Sequence, residues 1–228
     1  MFGGTSYSGV FANADRRIHG CDRKGPSLTV VFGGTFDPVH NGHVHAASVA
    51  ADILDSSISM VLSARPAHRK APVASVEDRW RMLLAACANV ESLKPSGIEL
   101  VREGPSYAIE TLVSVNASPN NPVIWVLGAD AFDLVHTWHR FEEIVTRCSF
   151  LVFTRAGNAS KRIRNGFTEV DEPSALKRSG GAVYFGAQAM KEITATTLRR
   201  DIARGCAVSH LLPPSVWEYV QQQGLYQS

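Results

Sequence analysis

Two histidines, His40 and His43, stand three positions apart at the start of an alanine-rich segment that has the hydrophobic period of a helix. The glycine pair Gly33-Gly34 follows an apolar run typical of a strand. Glycine lets a ligand approach the backbone, and the N-terminus of a helix offers N–H groups and the positive end of a dipole. Imidazoles can donate hydrogen bonds to phosphate oxygens. This strand–turn–helix stretch therefore predicts a site for the phosphates of a nucleotide.

A second candidate segment spans residues 193–199, with the sequence Ile-Thr-Ala-Thr-Thr-Leu-Arg. Its hydroxyl groups could cap a helix or bind phosphate, and the guanidinium of Arg199 offers two parallel donors to an anion. Taken alone, the segment indicates an ordinary helix start with a surface arginine. In a chain that also carries His40 and His43, we interpret it as the second half of a phosphate site.

The composition is that of an ordinary globular domain. The chain has 228 residues, of which 45% are hydrophobic and 19% charged, enough for one α/β domain with a sizeable core. A net charge of +2 argues against a nucleic-acid partner, and no apolar stretch reaches the length of a membrane span. The cysteines Cys21, Cys87, Cys148 and Cys206 form no CxxC pair and fit free thiols in a cytoplasmic protein.

Strand and helix patterns alternate from residue 28 onwards. This alternation predicts a Rossmann-like, doubly wound parallel sheet in the α/β class, with helices on both faces and a short C-terminal helical part. Residues 1–27 show no sustained periodicity and are predicted to be a disordered N-terminal extension, so that residues 28–228 form a single domain. The predicted strands are 28–32, 58–63, 98–101, 123–127, 150–153 and 183–185; the predicted helices are 44–54, 106–115, 141–145, 196–204 and 214–223, with another beginning at residue 75; and 155–180 is predicted to be a long surface loop.

The two motifs together carry a family resemblance. Residues 33–43, Gly-Gly-Thr-Phe-Asp-Pro-Val-His-Asn-Gly-His, match the GGTFDPxHxGH signature of HxGH nucleotidylyltransferases without a gap. Residues 193–199 match the closing ISxTxxR-like signature, with Thr194 in place of serine. Further similar segments are 66–70, 105–107, 128–130, 137–140 and the C-terminal end. Over residues 28–228 the chain resembles, more narrowly, bacterial nicotinate-nucleotide adenylyltransferase.

The resemblance implies a reaction between two small-molecule partners, ATP and nicotinate mononucleotide, that gives deamido-NAD and pyrophosphate. The attacking 5′-phosphate is already an anion, so no general base is needed, and catalysis would consist of positioning and charge stabilisation. The resemblance places His40 and His43 on the ATP phosphates, with His43 steadying the α-phosphoryl group. It places Arg199 and Thr197 on the β- and γ-phosphates. Mg²⁺ would arrive with ATP, so no metal site built from protein ligands is expected.

Further contacts follow from the resemblance. Those expected for ATP are Gly33, Gly34, Thr35, Phe36, Gly42, Ile193, Thr196 and Thr197. Those expected for nicotinate mononucleotide are Tyr107, Asp130, Trp138 and His139, with Trp138 stacked on the nicotinate ring and Asp130 near a ribose hydroxyl. Each has a structural alternative: Tyr107 at the edge of the core, Asp130 as a turn cap, and Trp138 as core packing. Family members often carry threonine where this chain has Ala108, so one donor to the nicotinate carboxylate is missing.

His68, Arg69 and Lys70 form a short basic run after a proline. A charged run is usually a solvated surface. Basic groups close to a phosphate cleft could instead form a mobile lid that neutralises the substrates. The sequence favours neither interpretation over the other.

Other functions fit part of the pattern. Sibling transferases that act on nicotinamide mononucleotide or phosphopantetheine, or that transfer a cytidylyl group, share the histidine turn. A non-catalytic nucleotide-binding sensor could keep the same fold. A class I aminoacyl-tRNA synthetase also carries His-x-Gly-His, but it would need a longer chain and a lysine-rich KMSKS-like loop. The Pro-Ser-Tyr segment at 105–107 and the region of Trp138 favour the nicotinate enzyme. The sequence leaves a homo-oligomer open.

We expect removal of residues 1–27 to leave kcat/KM unchanged, because no hydrophobic pattern there predicts packing onto the domain. Pyrophosphate release by the shortened and full-length chains would be compared at equal protein concentration. A large loss of kcat/KM on shortening would show that this segment folds onto the site.

Overall fold

The computed structural model describes residues 29–67, 71–154, 166–186 and 193–227. Its strands are β1 (Val30–Gly34), β2 (Ile58–Leu62), β3 (Leu93–Ser96), β4 (Val123–Gly128), β5 (Cys148–Phe153), β6 (Thr168–Glu169) and β7 (Ala182–Gly186). They form one seven-stranded sheet in the order β3-β2-β1-β4-β5-β7-β6. Every pairing between these strands is parallel.

Helices connect the strands. The α-helices of the described ranges are α1 (Asn41–Leu54), α2 (Val76–Cys87), α3 (Ala108–Ser114), α4 (Ala129–Phe132), α5 (Phe141–Arg147), α6 (Ala195–Ala203) and α7 (Pro214–Gln222). Short 3₁₀ helices lie at Val135–Thr137, Pro173–Lys177 and Ser209–Leu211. Within the same ranges, no helix combines the length and the apolar character needed to cross a membrane.

Each face of the sheet has its own hydrophobic core, because alternate residues of a strand point to opposite faces. Val30 and Phe32 of β1 pack in a core shared with the inner residues of α1, α2, α6 and α7. Val31 lies in the second core, together with residues of α3, α4 and α5. Helices therefore cover both faces of a parallel sheet, which confirms the predicted doubly wound fold.

The order of the strands reverses between β1 and β4. The strands β2 and β3 extend the sheet on one side of β1, whereas β4, β5, β7 and β6 extend it on the other. Parallel sheets bind ligands at the carboxyl ends of the strands that border such a reversal. Gly34 ends β1 and Gly128 ends β4. The histidine turn and the segment that contains Asp130 therefore start from the same edge of the sheet.

Two predictions about individual elements were wrong. Residues 98–101 form a turn, and the third strand lies earlier, at β3. This strand reads Leu-Lys-Pro-Ser, and its proline is tolerated because β3 is an edge strand. Within 155–180, the described part contains β6 and the 3₁₀ helix Pro173–Lys177, where only a loop was predicted. A strand of two residues is too short to produce a recognisable alternation.

Arg79 of α2 ties the carboxyl ends of β1 and β2 to the start of α2. Although charged, it is only 2% exposed. Burial lowers the pKa of its guanidinium, and the nearby charge of Asp37 opposes that shift. The guanidinium donates to the carbonyl oxygens of Thr35 (3.0 Å), Ser63 (2.8 Å), Ala64 (3.0 Å) and Ala74 (3.3 Å).

The substitution Arg79→Met is expected to lower the free energy of unfolding by at least about 3 kcal/mol, because four buried or partly buried carbonyl oxygens lose this donor. Urea unfolding followed by circular dichroism would measure the change. Arg81→Met is the matched control, since Arg81 lies on the same helix, is exposed and pairs with Glu77. This control should shift the midpoint little. Equal midpoints for the two variants would contradict the role given to Arg79.

Candidate active site

The histidine turn caps helix α1 with its own side chains. His40 is the N-cap residue, and its Nδ1 accepts a hydrogen bond from the backbone N–H of His43 (3.3 Å). Nδ1 of His43 accepts one in return from the backbone N–H of His40 (3.3 Å). The two rings stack with their centroids 3.7 Å apart and their planes at 22°. Because each Nδ1 is an acceptor, the neutral form of each ring carries its proton on Nε2, and this N–H can donate to a phosphate oxygen.

Phenylalanine packing holds the second imidazole in place. The ring of Phe36 meets that of His43 edge-on at a centroid distance of 5.1 Å. Phe36 is itself buried over Gly34, where a Cβ atom would come within 2.7 Å of the phenyl ring. A Cβ atom at Gly42 would lie 3.0 Å from Nδ1 of His40. The absence of a Cβ atom at Gly34 and Gly42 therefore leaves space for the rings of Phe36 and His40.

Two other residues predicted to contact ATP have visible structural roles. A Cβ atom at Gly33 would come within 2.8 Å of the indole of Trp125 on the adjacent strand β4. The carbonyl oxygen of Thr35 accepts the hydrogen bond from Arg79. Gly33 thus leaves space for the indole of Trp125, and Thr35 links the turn to α2.

The closing motif lies beside the histidine turn. Nη1 of Arg199 donates to the carbonyl oxygen of Asp37 at 2.6 Å, across 162 positions of the sequence. The same nitrogen lies 3.6 Å from Oδ2 of Asp37. Cβ of Ile193 is 3.6 Å from the point where a Cβ atom of Gly42 would be. The two motifs that the sequence nominated separately are therefore in contact.

Hydroxyl residues start helix α6. Oγ1 of Thr194 accepts a hydrogen bond from the backbone N–H of Thr197 (3.1 Å) and donates one to Oγ1 of Thr197 (2.9 Å). Thr194 is thus the N-cap residue. Thr196 and Thr197 are exposed, and Oγ1 of Thr196 lies 3.5 Å from Nη2 of Arg199. The hydroxyls and the guanidinium therefore share one helix end.

Asp37 belongs to the site but was missed by the sequence reasoning. Its side chain is 5% exposed. Oδ2 accepts a hydrogen bond from the backbone N–H of Val73 (2.8 Å), and Oδ1 accepts from the N–H of Ala74 (3.1 Å) and the hydroxyl of Tyr226 (2.7 Å). Aspartate in a glycine-rich turn is usually a local turn former. The signal for its burial is the apolar character of its neighbours in the sequence Phe-Asp-Pro-Val.

Among the side chains assigned to the mononucleotide, Tyr107 and His139 lie at the start of α3, Trp138 packs against β4, and Asp130 directly follows β4. The rings of Tyr107 and His139 lie 4.4 Å apart at 31°. Trp138 is half-buried and meets Trp125 edge-on at 5.8 Å, so part of its surface belongs to the second core. Asp130 is exposed in α4, which directly follows β4.

A polar cluster supports the segment just before α3. Oγ1 of Thr111 donates to Oε1 of Glu99 (2.6 Å) and accepts from Nη2 of Arg102 (3.1 Å). The carbonyl oxygen of Arg102 accepts from Nη1 of Arg65 (2.7 Å). The backbone of Arg65 donates to Oγ of Ser106 (3.0 Å) and accepts from the N–H of Ser106 (2.9 Å). These bonds, which sequence reasoning did not find, fix the approach to the tyrosine that begins α3.

The basic run His68, Arg69 and Lys70 lies outside the described residues, so its interpretation as a lid stays a prediction. Across ranges 29–67, 71–154, 166–186 and 193–227, no three or more His, Cys, Asp or Glu side chains gather in a way that could hold a metal ion. The carboxylate of Asp37 is engaged by its hydrogen-bond donors and by Arg199. The turn therefore offers N–H donors, which suit the oxygens of an anion.

Known nucleotidyltransferases are similar to this chain. The cytidylyltransferase-like family matches residues 31–201. A Pseudomonas syringae pv. tomato protein named "probable nicotinate-nucleotide adenylyltransferase" is 37% identical over 89% of this chain and 95% of its own length. The chain belongs to the nicotinate-nucleotide adenylyltransferase family. A family member of the same name from Pseudomonas fluorescens is 37% identical over 87% of this chain and 96% of its own length.

Solved structures share the fold of this nicotinate-nucleotide adenylyltransferase family member. The Plasmodium falciparum nicotinic acid mononucleotide adenylyltransferase complexed with APC has a TM-score of 0.62 at 16% identity, over 87% of this chain and 96% of that chain. The same enzyme complexed with NaAD has a TM-score of 0.63 at 16% identity, over 87% and 97%. Family membership confirms the resemblance stated from the sequence and identifies the chain as a nucleotidyltransferase.

Proposed function

We propose that the chain transfers the adenylyl group of ATP to nicotinate mononucleotide, which gives deamido-NAD and pyrophosphate. One observation carries the proposal: the stacked pair His40–His43 stands in the same turn as Asp37, which binds the guanidinium of Arg199, at the edge where the strand order reverses. This arrangement gathers N–H donors around a place suited to a triphosphate. We infer the acceptor substrate, nicotinate mononucleotide, from the activity for which the similar Pseudomonas proteins are named.

The reaction exchanges one P–O bond for another. An oxygen of the mononucleotide's 5′-phosphate forms a bond to the α-phosphorus of ATP, while the bond from that phosphorus to the oxygen bridging the α- and β-phosphates breaks. The electron pair leaves with pyrophosphate, and no proton has to move because the nucleophile is an anion. The protein therefore has to hold two anions together and stabilise the charge that shifts onto the leaving group.

The donors of the site match that distribution of charge. We assign the Nε2–H of His43 to the α-phosphoryl oxygens and that of His40 to neighbouring phosphate oxygens, beside the N-terminus of α1. Arg199 and Thr197 would hold the β- and γ-phosphates, with the guanidinium supplying two donors. Mg²⁺ enters this scheme as part of the ATP substrate, because it takes phosphate and water oxygens as ligands.

We assign Tyr107, Asp130, Trp138 and His139 to the mononucleotide. The Tyr107–His139 ring pair and the half-buried indole of Trp138 supply aromatic surface for a pyridine ring. Ala108 offers no hydroxyl to the nicotinate carboxylate, so we expect backbone N–H groups near Trp138 and His139 to bind it. The missing hydroxyl is the reason to keep nicotinamide mononucleotide as the alternative acceptor.

We further propose that the reaction takes place in the cytoplasm. Cys87, Cys148 and Cys206 are free thiols, the first two of them buried. Burial raises the pKa of Cys87 to about 12, so it stays protonated at neutral pH. Unpaired thiols of this kind are usual in a reducing compartment.

A substrate panel tests the function. Pyrophosphate release would be measured with ATP and, in turn, nicotinate mononucleotide, nicotinamide mononucleotide and phosphopantetheine. We expect the highest kcat/KM with nicotinate mononucleotide. A higher value with either of the other acceptors would assign the chain to a sibling activity, and ATP binding without pyrophosphate release from any of them would point to a sensor.

The substitution His43→Ala is expected to lower kcat by about 10²–10³-fold or more, because it removes a donor from the α-phosphoryl group. His45→Ala is the control, since His45 lies two positions further along α1 and has no part in the stacked pair. Steady-state pyrophosphate release would be measured for both. Near-wild-type turnover of His43→Ala would overturn the role assigned to this histidine.

A further inference from the structure

The segment after α7 returns to the histidine turn. Tyr226 is 6% exposed, and its hydroxyl donates to Oδ1 of Asp37 at 2.7 Å. The two residues are 189 positions apart in the sequence. The adenylyl transfer described above makes no direct use of this phenol. We therefore consider how its hydrogen bond to Asp37 could affect the site.

Asp37 lies next to Arg199 with both its backbone and its side chain. Nη1 of Arg199 donates to the backbone carbonyl oxygen of Asp37 at 2.6 Å, whereas the carboxylate oxygen Oδ2 is 3.6 Å away. A carboxylate and a phosphate compete as acceptors for one guanidinium. If the Asp37 carboxylate took both N–H groups of the fork, it would hold Arg199 back from ATP.

Three neutral donors limit that competition. The carboxylate of Asp37 accepts from the backbone N–H groups of Val73 (2.8 Å) and Ala74 (3.1 Å) and from the hydroxyl of Tyr226 (2.7 Å). A carboxylate has about four acceptor positions, so little capacity remains for a second strong bond to Arg199. Of the three donors, Tyr226 alone acts through a side chain. It can be altered without a change to the backbone.

We propose that Tyr226 is a positioning residue of the ATP site, whose hydroxyl anchors Asp37 so that Arg199 stays directed at the β- and γ-phosphates. Tyr226 acts through these two residues and touches neither substrate. The proposal rests on the ATP half of the proposed function and not on the identity of the acceptor. Burial, reinforced by the charge of Asp37, raises the pKa of Tyr226 far above its ordinary value, so the phenol remains a donor at working pH.

The substitution Tyr226→Phe keeps the ring and removes the hydroxyl. We expect the KM for ATP to rise by about 3- to 10-fold, the effect of one hydrogen bond, while kcat and the KM for the acceptor change less than twofold. The Kd of an α,β-methylene analogue of ATP, measured by calorimetry, should rise by the same factor. This binding measurement needs no acceptor, so it stands even if the substrate panel identifies a different one.

Tyr219→Phe is the matched control. The hydroxyl of Tyr219 also donates to a carboxylate, Oδ1 of Asp78, at 2.9 Å, from helix α7 in the same C-terminal part. The Tyr219→Phe variant therefore shows the effect of a general loss of stability in this part of the fold. The KM for ATP should stay unchanged in this variant. Equal increases in the two variants, or a Tyr226→Phe change that affects both substrates alike, would overturn the proposal.

Two further measurements test whether Tyr226 acts on ATP binding through Arg199. In an Arg199→Ala background, Tyr226→Phe should cause no additional rise in the Kd of the ATP analogue, because both changes act on one interaction; additive effects would contradict it. In the unaltered protein, binding of the analogue should change hydrogen exchange in the peptide that contains Tyr226. Unchanged exchange there would also contradict the proposal, and this readout does not depend on the stability of any variant.

Discussion

A buried carboxylate needs hydrogen-bond donors, and the proposed ATP side of the fold is arranged around the carboxylate of Asp37. Its donors come from the segment that leads into α2 and from the segment after α7, and Arg199 of α6 binds the backbone carbonyl oxygen of the same residue. These stretches are far apart in the sequence. Because they all bind Asp37, through its side chain or its backbone, they are held in fixed positions relative to the turn that follows β1. The geometry of the proposed phosphate site depends on these contacts with Asp37.

The histidine pair satisfies a second requirement, that donors for a polyanion be in place before it arrives. A side chain that waits for a ligand has to be held by something else, and here the backbone of the turn does this. Each imidazole of His40 and His43 accepts a backbone N–H through Nδ1, and Phe36 supports one ring from the side. The orientation of both rings is thus set by the fold, so little reorganisation is needed on binding.

The sequence predicted features that depend on neighbouring residues and missed contacts between residues that are far apart in the chain. The two short motifs sufficed for the family, because glycine, histidine and hydroxyl residues at a fixed spacing carry their own geometry, and the alternation of strand and helix patterns sufficed for the parallel sheet. The edge strand β3 was missed because Pro95 is unfavourable in most strands and because the apolar alternation lies in the turn that follows.

Asp37 and the Glu99–Thr111–Arg102 cluster could not be found in the same way. Their bonding partners are set by tertiary folding, and a polar side chain gives no sign in one sequence of which distant donor it meets. The roles assigned to individual site residues stay predictions for the same reason. Spacing identifies which side chains can approach a phosphate, whereas the contact itself depends on the bound substrate.

The long separation between Asp37 and its partners has a consequence for the order of folding. Contacts that span 162 and 189 positions close very large loops, and such closure is entropically unfavourable until the intervening structure has formed. We therefore expect the central strands and their helices to assemble before Arg199 and Tyr226 dock. A partly folded chain would then present the glycine turn without its guanidinium, and the proposed triphosphate site would be complete only in the last stage of folding.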